Sequence, residues 1–179
     1  MPDLENDVAR RTLKIAQELA HADHGERAAA RRMTAEGAPV FWRLAARLGI
    51  GGHEEEKWRR ITKALALLTP SCATESVHET GREFGAVLAD GGDAFRRLRR
   101  PVFSEQRLAR LLAARGSARL DAIERAVRML ARRHARIDAP SLAWACLNDG
   151  EQTTRAIARA YYRRCYPHQE SSQEKQSDA

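Results

Sequence analysis

Arginine is the residue type in this sequence whose distribution most strongly indicates chemistry with a partner. The segment from Arg96 to Arg136 contains thirteen arginines but only three acids, Glu105, Asp121 and Glu124. Its local excess of ten positive charges exceeds the net charge of +7 of the whole chain, so the remainder is slightly acidic. One guanidinium group can donate two parallel hydrogen bonds to a phosphate, and its binding releases counterions from the polyanion. The segment therefore predicts a surface that binds nucleic acid through its phosphates.

The second half of this segment has the spacing of an amphipathic helix, from about Ala118 to His134. Its apolar face carries Leu120, Ile123, Val127 and Leu130. Its opposite face carries Arg125, Arg128, Arg132 and Arg136. Like charges four residues apart cost a helix a few tenths of a kcal/mol per pair, and a neutral surface would interleave glutamate. Either this ridge is the solvated face of an arginine-rich chain or it neutralises phosphates, and we favour the second interpretation.

Residue patterns that indicate catalysis or a bound metal are scarce. Gly51-Gly52 lacks the Gly-Lys-Ser/Thr of a phosphate-binding loop, and neither a Gly-x-Ser-x-Gly nor a His-Glu-x-x-His motif occurs. His21, Asp23 and His24 could ligate a metal, but no second cluster completes a site. A histidine pair at a helix end is the simpler interpretation. We predict a protein that is not an enzyme and that needs no cofactor or metal.

The composition is that of a globular protein that can bury a core, with 179 residues, 43% of them hydrophobic, and a pI near 9.9. No apolar run reaches the roughly 20 residues of a membrane span, and residues 1–5 lack the features of a secretory signal. Cys72, Cys146 and Cys165 are odd in number and widely spaced, which predicts reduced, mostly buried thiols. We expect a cytoplasmic protein with no membrane partner.

Helical spacing recurs along the chain, and no segment alternates apolar and polar residues with β-branched enrichment. The sequence predicts an all-α fold, a compact helical bundle of about eight helices in two packed halves. The turn Asp90-Gly91-Gly92-Asp93 marks the boundary. It gives an N-terminal half over 1–90 and a C-terminal half with the arginine-rich face over 91–166. Residues 167–179 are polar and are predicted to be disordered.

Glycines suggest where several helices begin and end. The sequence predicts a helix from Ser76 to Ala89. Its helix propensity is lower than that of the other helices, because the glycines inside it are unfavourable for a helix. We expect Gly25 to cap the end of the first helix. We expect Gly116 to end the helix that begins after Ser104.

Few aromatic residues accompany the arginines, since aromatic side chains make up 6% of the chain. Phe41 and Trp42 lie within an apolar run, so both are predicted to be core residues rather than a base-stacking platform. We therefore expect the arginines to bind along the phosphates of a strand, with little stacking of its bases on aromatic side chains.

Several local patterns occur in an order, and at spacings, that are characteristic of one family. They are Arg27-Ala-Ala-Ala-Arg31-Arg32, Val40-Phe41-Trp42-Arg43-Leu44, the helix 58–68, the segment 107–116, and 137–142 leading to Tyr161-Tyr162. Together they extend over roughly residues 10–165, and the chain resembles the CasB family, the small subunit of the type I-E Cascade CRISPR surveillance complex. Ala139 and Ile157 stand where the family often has tryptophan, which affects packing rather than charge.

This resemblance implies a non-catalytic, all-α protein that lies in two copies among other Cascade subunits. It implies a basic face that stabilises the R-loop, in which guide RNA pairs with the target strand and the other strand is displaced. Arg32, Arg107 and Arg125 match basic residues tied to this role in the family. From the charge pattern alone we add Arg27, Arg31, Arg110, Arg119, Arg128 and Arg132. The expected partners are the displaced single-stranded DNA, the backbone of the guide RNA/target duplex, and the other subunits.

Three alternative functions use the same residues differently. A helix-turn-helix regulator would pair 108–116 with 118–134, but its second helix would need polar base-reading side chains beside the arginines. A helical module could bind an acidic protein through the same arginines. A nuclease is the enzyme alternative, and it ranks last because no metal site is evident.

Overall fold

The structure is a computed structural model that describes residues 2–72, 74–96 and 98–167. Over these ranges the chain forms nine α-helices: α1 (Pro2–His21), α2 (His24–Arg32), α3 (Pro39–Leu48), α4 (Glu55–Leu68), α5 (Phe84–Asp90), α6 (Glu105–Ala113), α7 (Gly116–Ala131), α8 (Ala139–Leu147) and α9 (Glu151–Cys165). A 3-10 turn at Gly52–Glu54 precedes α4. The predicted all-α class is confirmed, with nine helices in the described ranges where we predicted about eight.

None of the helices in these ranges is both long enough and apolar enough to cross a membrane. The tail that we predicted to be disordered falls, apart from Pro167, on residues 168–179, which lie outside the described residues. That prediction stays untested.

Helix α4 lies at the centre of the bundle and packs against α1, α2, α7 and α8. Its inner face carries Trp58, Ile61 and Leu65, all completely buried and spaced at i, i+3 and i+7. Burial of each such side chain contributes roughly 1.5–3 kcal/mol relative to exposure. Helix α7 packs on α4 with its apolar face inward. The predicted stripe on α7 is confirmed, because all four of its members are buried: Leu120, Ile123, Val127 and Leu130.

The segment 76–83 is not helical, so the predicted helix from Ser76 to Ala89 is wrong over its first half. Its backbone pairs instead with the residues before α8. The Ile137 N–H donates to the Val77 carbonyl at 3.1 Å, and the Asp138 N–H donates to the Arg82 carbonyl at 2.8 Å. Pairing with a segment distant in sequence and burial of Val77 outweigh a weak local helix propensity.

Two glycines that we predicted at helix ends lie instead in the first turns of helices. Gly25 is the second residue of α2, whose N-cap Asp23 accepts a hydrogen bond from the Glu26 N–H at 2.8 Å. Gly116 begins α7, and its N–H donates to the Asp149 carboxylate at 2.8 Å. In both cases a carboxylate satisfies a free N–H group at the start of the helix.

The hydrophobic core is continuous across the boundary that we predicted at 90/91. One cluster of buried residues extends from Val8 in α1 to Tyr161 in α9. Helix α4 packs on both α7 and α8, and α1 also packs on α8. Side chains from both predicted halves share one core. The division of the chain at 90/91 stays a prediction.

Two side-chain predictions are only partly confirmed. Phe41 is completely buried, as predicted, but Trp42 is 43% exposed, and its indole N–H donates to the Glu36 carbonyl at 3.1 Å. The three cysteines are free thiols, one exposed, one buried and one half-buried: Cys72, Cys146 and Cys165.

Replacement of Gly85 by alanine should destabilise the protein, because the backbone of α9 lies directly against this glycine of α5. An added Cβ atom would lie 2.2 Å from the Ile157 carbonyl oxygen and 2.9 Å from the Ala160 Cβ. We expect Gly85→Ala to lower the free energy of unfolding by about 2 kcal/mol, measured by urea denaturation. Gly51→Ala is the matched control, because its backbone is extended and nothing lies within 4 Å of the added atom. An equal loss in both variants would contradict this account of the α5–α9 contact.

Candidate nucleic-acid interface

The nine arginines that we predicted to bind nucleic acid fall into three groups according to what they contact. Three donate to main-chain carbonyls inside the fold: Arg27, Arg31 and Arg119. Arg128 pairs with a neighbouring carboxylate. The remaining five are exposed, and no residue in the described ranges bonds their side chains: Arg32, Arg107, Arg110, Arg125 and Arg132. We call these five the open arginines.

Arg119 is an internal residue of α7, contrary to our prediction that it lies on the binding surface. Its side chain is only 1% exposed. The Nε group donates to the Ala145 carbonyl at 3.2 Å, and Nη1 donates to the Leu111 carbonyl at 3.5 Å. Burial, with the nearby charge of Arg115, lowers the pKa of Arg119. The guanidinium ties α7 to the last turns of α6 and α8 and is closed to a strand.

Arg27 and Arg31 on α2 also serve the fold rather than an open surface. Arg27 is buried, and its Nη1 donates to the Ala20 carbonyl near the end of α1 at 3.2 Å. Arg31 is half-buried; it donates to the Ala66 carbonyl at 3.0 Å and to the Thr69 carbonyl at 2.5 Å. Burial, and then the charge of Arg27, lower the pKa of Arg31. These two side chains hold α1, α2 and α4 together.

The outer side of the α4–α7 contact is a seam of ion pairs around Glu124. Its carboxylate lies 2.7 Å from Arg128 Nη2, 3.1 Å from Lys63 Nζ and 3.2 Å from Arg60 Nη1. Arg60 also lies 2.9 Å from the Asp121 carboxylate. Burial alone would raise the pKa of Glu124, but hydrogen bonds from Arg128 and Lys63 outweigh it and leave that pKa below its usual value. One glutamate thus holds three cations at the edge of the arginine ridge.

Four of the open arginines lie on two consecutive helices or directly after the second one. Arg107 and Arg110 are exposed on α6, opposite the buried Leu108 and Leu111. Arg125 is exposed on α7, and Arg132 follows directly after that helix. The ridge is shorter than predicted, because α7 ends at Ala131. Arg136 therefore leaves it, and its Nη2 donates to the carbonyls of Ser76 and His78 at 3.4 and 3.2 Å.

The structure adds basic residues that our site prediction did not include. Arg59, Arg60 and Lys63 of α4 line a cavity together with Glu56 and residues 33–35, directly after Arg32. Arg59 donates to the Ala35 carbonyl, which attaches α4 to that loop. The sequence contained the signal, because these three cations lie opposite the apolar stripe of α4. It could not indicate that the α2–α3 loop would lie beside them.

No group of three histidine, cysteine or carboxylate side chains that could hold a metal ion occurs among the residues described by the structure. The fold and the site thus define a small, all-α, basic protein with arginines open to an anionic partner.

The chain matches the model of the family described as CRISPR-associated protein Cse2 over residues 26–162, and it belongs to that family. This family is the small subunit of the type I-E Cascade complex, CasB, so the resemblance that we identified in the sequence is confirmed. The chain is therefore placed in a CRISPR Cascade complex, with other Cascade subunits as its partners. Neither the comparison with curated proteins nor that with solved structures gave a match.

Replacement of Arg119 by alanine should lower the free energy of unfolding, whereas replacement of an open arginine should leave it almost unchanged. Arg119→Ala leaves the Leu111 and Ala145 carbonyls without this donor and opens a cavity. We expect a loss of about 3 kcal/mol in the free energy of unfolding. Arg107→Ala, the matched control, should change it by less than about 0.5 kcal/mol. Urea denaturation of both variants is the measurement, and equal losses would contradict the assignment of Arg119 to the fold.

The stabilisation by Glu124 should depend on pH in a defined direction. Its pKa is lowered in the folded protein, so its contribution is present above the unfolded pKa of about 4.3 and is lost as pH falls through the folded value. Glu124→Gln should cost about 1 kcal/mol at pH 7, because water at the seam screens part of each ion pair. The difference from the parent should shrink below about pH 4. Glu75→Gln, which alters an exposed pair with Arg136, should have little effect; a pH-independent loss for Glu124→Gln would contradict the ion-pair account.

Proposed function

We propose that this chain binds the phosphate backbone of a displaced single strand through its open arginines, and that it stabilises the R-loop of the Cascade complex. The observation that carries this proposal is the lack of internal partners for Arg107, Arg110, Arg125 and Arg132 in the described ranges. A fixed cation that has no carboxylate within the fold can be neutralised by an external anion. Phosphate suits the planar fork of arginine, which donates two parallel hydrogen bonds.

R-loop formation is nearly balanced in free energy, so a few contacts to the displaced strand can shift its equilibrium. The RNA–DNA heteroduplex that forms is about as stable as the DNA duplex that it replaces, so contacts to the backbone can tip the exchange. A protein that holds the displaced strand makes duplex re-formation less favourable. Because phosphates carry no sequence information, such contacts act on every target alike.

The same charges could also contact the backbone of the guide RNA/target duplex, and two copies of the chain in one complex would lengthen the basic path. We propose a non-catalytic role, because permanent charges that position phosphates require neither a nucleophile nor a metal. This proposal rests on the family membership for the complex and on the open arginines for the strand.

The alternative functions are less well supported. A recognition helix would present polar, base-reading side chains near its amino terminus. On α7 the first charged side chains on the outer side are Asp121 and Glu124, and both carboxylates pair with Arg60 of α4. An acidic protein would also fit the open arginines, but membership of a nucleic-acid-targeting complex favours phosphate as the anion.

Replacement of Arg107 and Arg125 together by alanine should weaken binding of the full chain to single-stranded DNA. Each lost phosphate contact should flatten the slope of log affinity against log salt by about 0.7, so the double variant should lose about 1.4. Fluorescence anisotropy over a salt series with strands of mixed and uniform sequence is the measurement. We expect binding that does not depend on sequence.

The matched control is the double variant Arg10→Ala and Arg47→Ala, which removes the same charge from α1 and α3. Both residues are exposed and pair with acids, Asp7 and Glu18. This control should keep most of the parent slope. Equal effects of the two double variants would indicate a response to net charge alone. Tight binding to one preferred duplex sequence would favour the helix-turn-helix alternative.

A further inference from the structure

Phe95, in the loop between α5 and α6, is the most exposed large hydrophobic side chain among the described residues. It is 98% exposed, whereas the next is Tyr166 at 67%. A phenylalanine that is left in water forgoes roughly 1.5–3 kcal/mol of stabilisation that burial would provide. The ring adds little to the stability of the fold, and both of its faces are free to contact a partner.

The loop that carries Phe95 is held in place from beneath by Arg164 of α9. The Arg164 Nη2 group donates to the carbonyls of Asp93, Ala94 and Arg96, at 3.3, 2.9 and 2.8 Å. Its Nε group donates to the Asp90 carboxylate at 2.8 Å. A single guanidinium thus binds three carbonyl groups of the loop between residues 93 and 96.

Asp90 and Asp93 complete this support. The Asp90 carboxylate is completely buried, and it also accepts from Arg82 at 2.9 Å and from the Gly92 N–H at 2.9 Å. The Asp93 carboxylate accepts the Phe95 N–H itself, at 3.1 Å. The loop therefore presents Phe95 in a preorganised conformation, which reduces the entropy lost when a partner binds.

The chain that follows Phe95 is positively charged, whereas the acids before it, Asp90 and Asp93, bind within the loop and its support. No acid occurs from residue 94 to residue 104, whereas arginines occupy positions 96, 97, 99 and 100. Arg96, Arg99 and Arg100 are exposed. The nearby apolar side chains Leu98 and Val102 are partly buried, so the exposed apolar surface is a single ring among cations.

We infer that Phe95 is a stacking contact for one nucleobase of the bound strand, with the exposed Arg96, Arg99 and Arg100 on the adjacent phosphates. This inference rests on the proposed function and deepens it, because it adds a contact to a base. One ring offers too little apolar area for a protein interface, which usually buries a cluster of anchors. It is sufficient for a base, since stacking on an aromatic ring contributes about 1–3 kcal/mol and tolerates every sequence. Our expectation of little stacking, drawn from composition, is revised accordingly.

The test uses the full chain and two strands with the same number of phosphates, one of thymidines and one of abasic sites. Phe95→Ala should weaken binding to the thymidine strand about tenfold, and it should leave binding to the abasic strand and the salt slope unchanged. Phe95→Trp should keep the affinity, because it keeps an aromatic face. Phe95→Leu should lose most of it, because it keeps only the apolar bulk. Since the ring is exposed, the melting temperature should be the same in all three.

The outcomes separate this inference from the proposed function. If Phe95→Ala weakens binding to both strands equally, or to neither strand, the stacking inference is overturned. The backbone proposal is tested separately, by the double variant Arg107→Ala and Arg125→Ala. A chain with Phe95→Ala that binds strands normally but no longer co-purifies with the other Cascade subunits would identify a protein anchor instead, which also overturns stacking. Quenching of a 2-aminopurine base on binding, lost in Phe95→Ala, would be the supporting result.

Discussion

Hydrogen bonds from basic side chains to carbonyl groups at the carboxyl ends of helices fix how the helices of this bundle are joined around its core. The last turn of a helix leaves carbonyls without an internal donor, and partial negative charge accumulates there. Arg27 donates at the end of α1, Arg31 at the end of α4, and Arg119 at the ends of α6 and α8. Lys57 adds a bond to the Leu147 carbonyl of α8. These carbonyls are therefore satisfied by side chains from other helices.

Arginine suits this task better than lysine because its planar group presents five donors in a fixed geometry. Arg164, for example, serves one carboxylate and three carbonyls at once. The same residue type therefore stabilises the interior and covers the outer surface. A count of arginines in the sequence therefore overestimates the charge that is available to a partner. The contacts of each side chain show whether an arginine stabilises the interior or lies on the outer surface.

Helical spacing was sufficient to predict the all-α class, the apolar stripe of α7 and the outward direction of Arg107 and Arg110. It also contained a signal that Arg119 is internal: at about 100° per residue, this position lies roughly 60° from the centre of the stripe, closer than any of the three ridge arginines. Arg27 likewise shares a face with the buried Ala30. The extended segment 76–83 and the start of α7 at Gly116 could not be predicted, because both depend on partners distant in sequence.

The positions of the acids explain why Arg107, Arg125 and Arg132 lack a carboxylate partner in the described ranges, although the chain has 24 aspartates and glutamates. Three acids in or near the arginine-rich segment bind structural partners: Glu124 binds α4, Asp149 binds the first N–H of α7, and Asp90 binds Arg82 and Arg164. Glu105 is exposed and accepts a hydrogen bond from the Tyr166 hydroxyl at 3.1 Å. The Gly116 N–H holds the pKa of Asp149 below its usual value, so this acid stays charged while committed to the helix start. Since each of these acids stabilises a contact between elements, none is available to neutralise Arg107, Arg125 or Arg132. Among the residues that the structure describes, those three guanidinium groups therefore have no carboxylate partner.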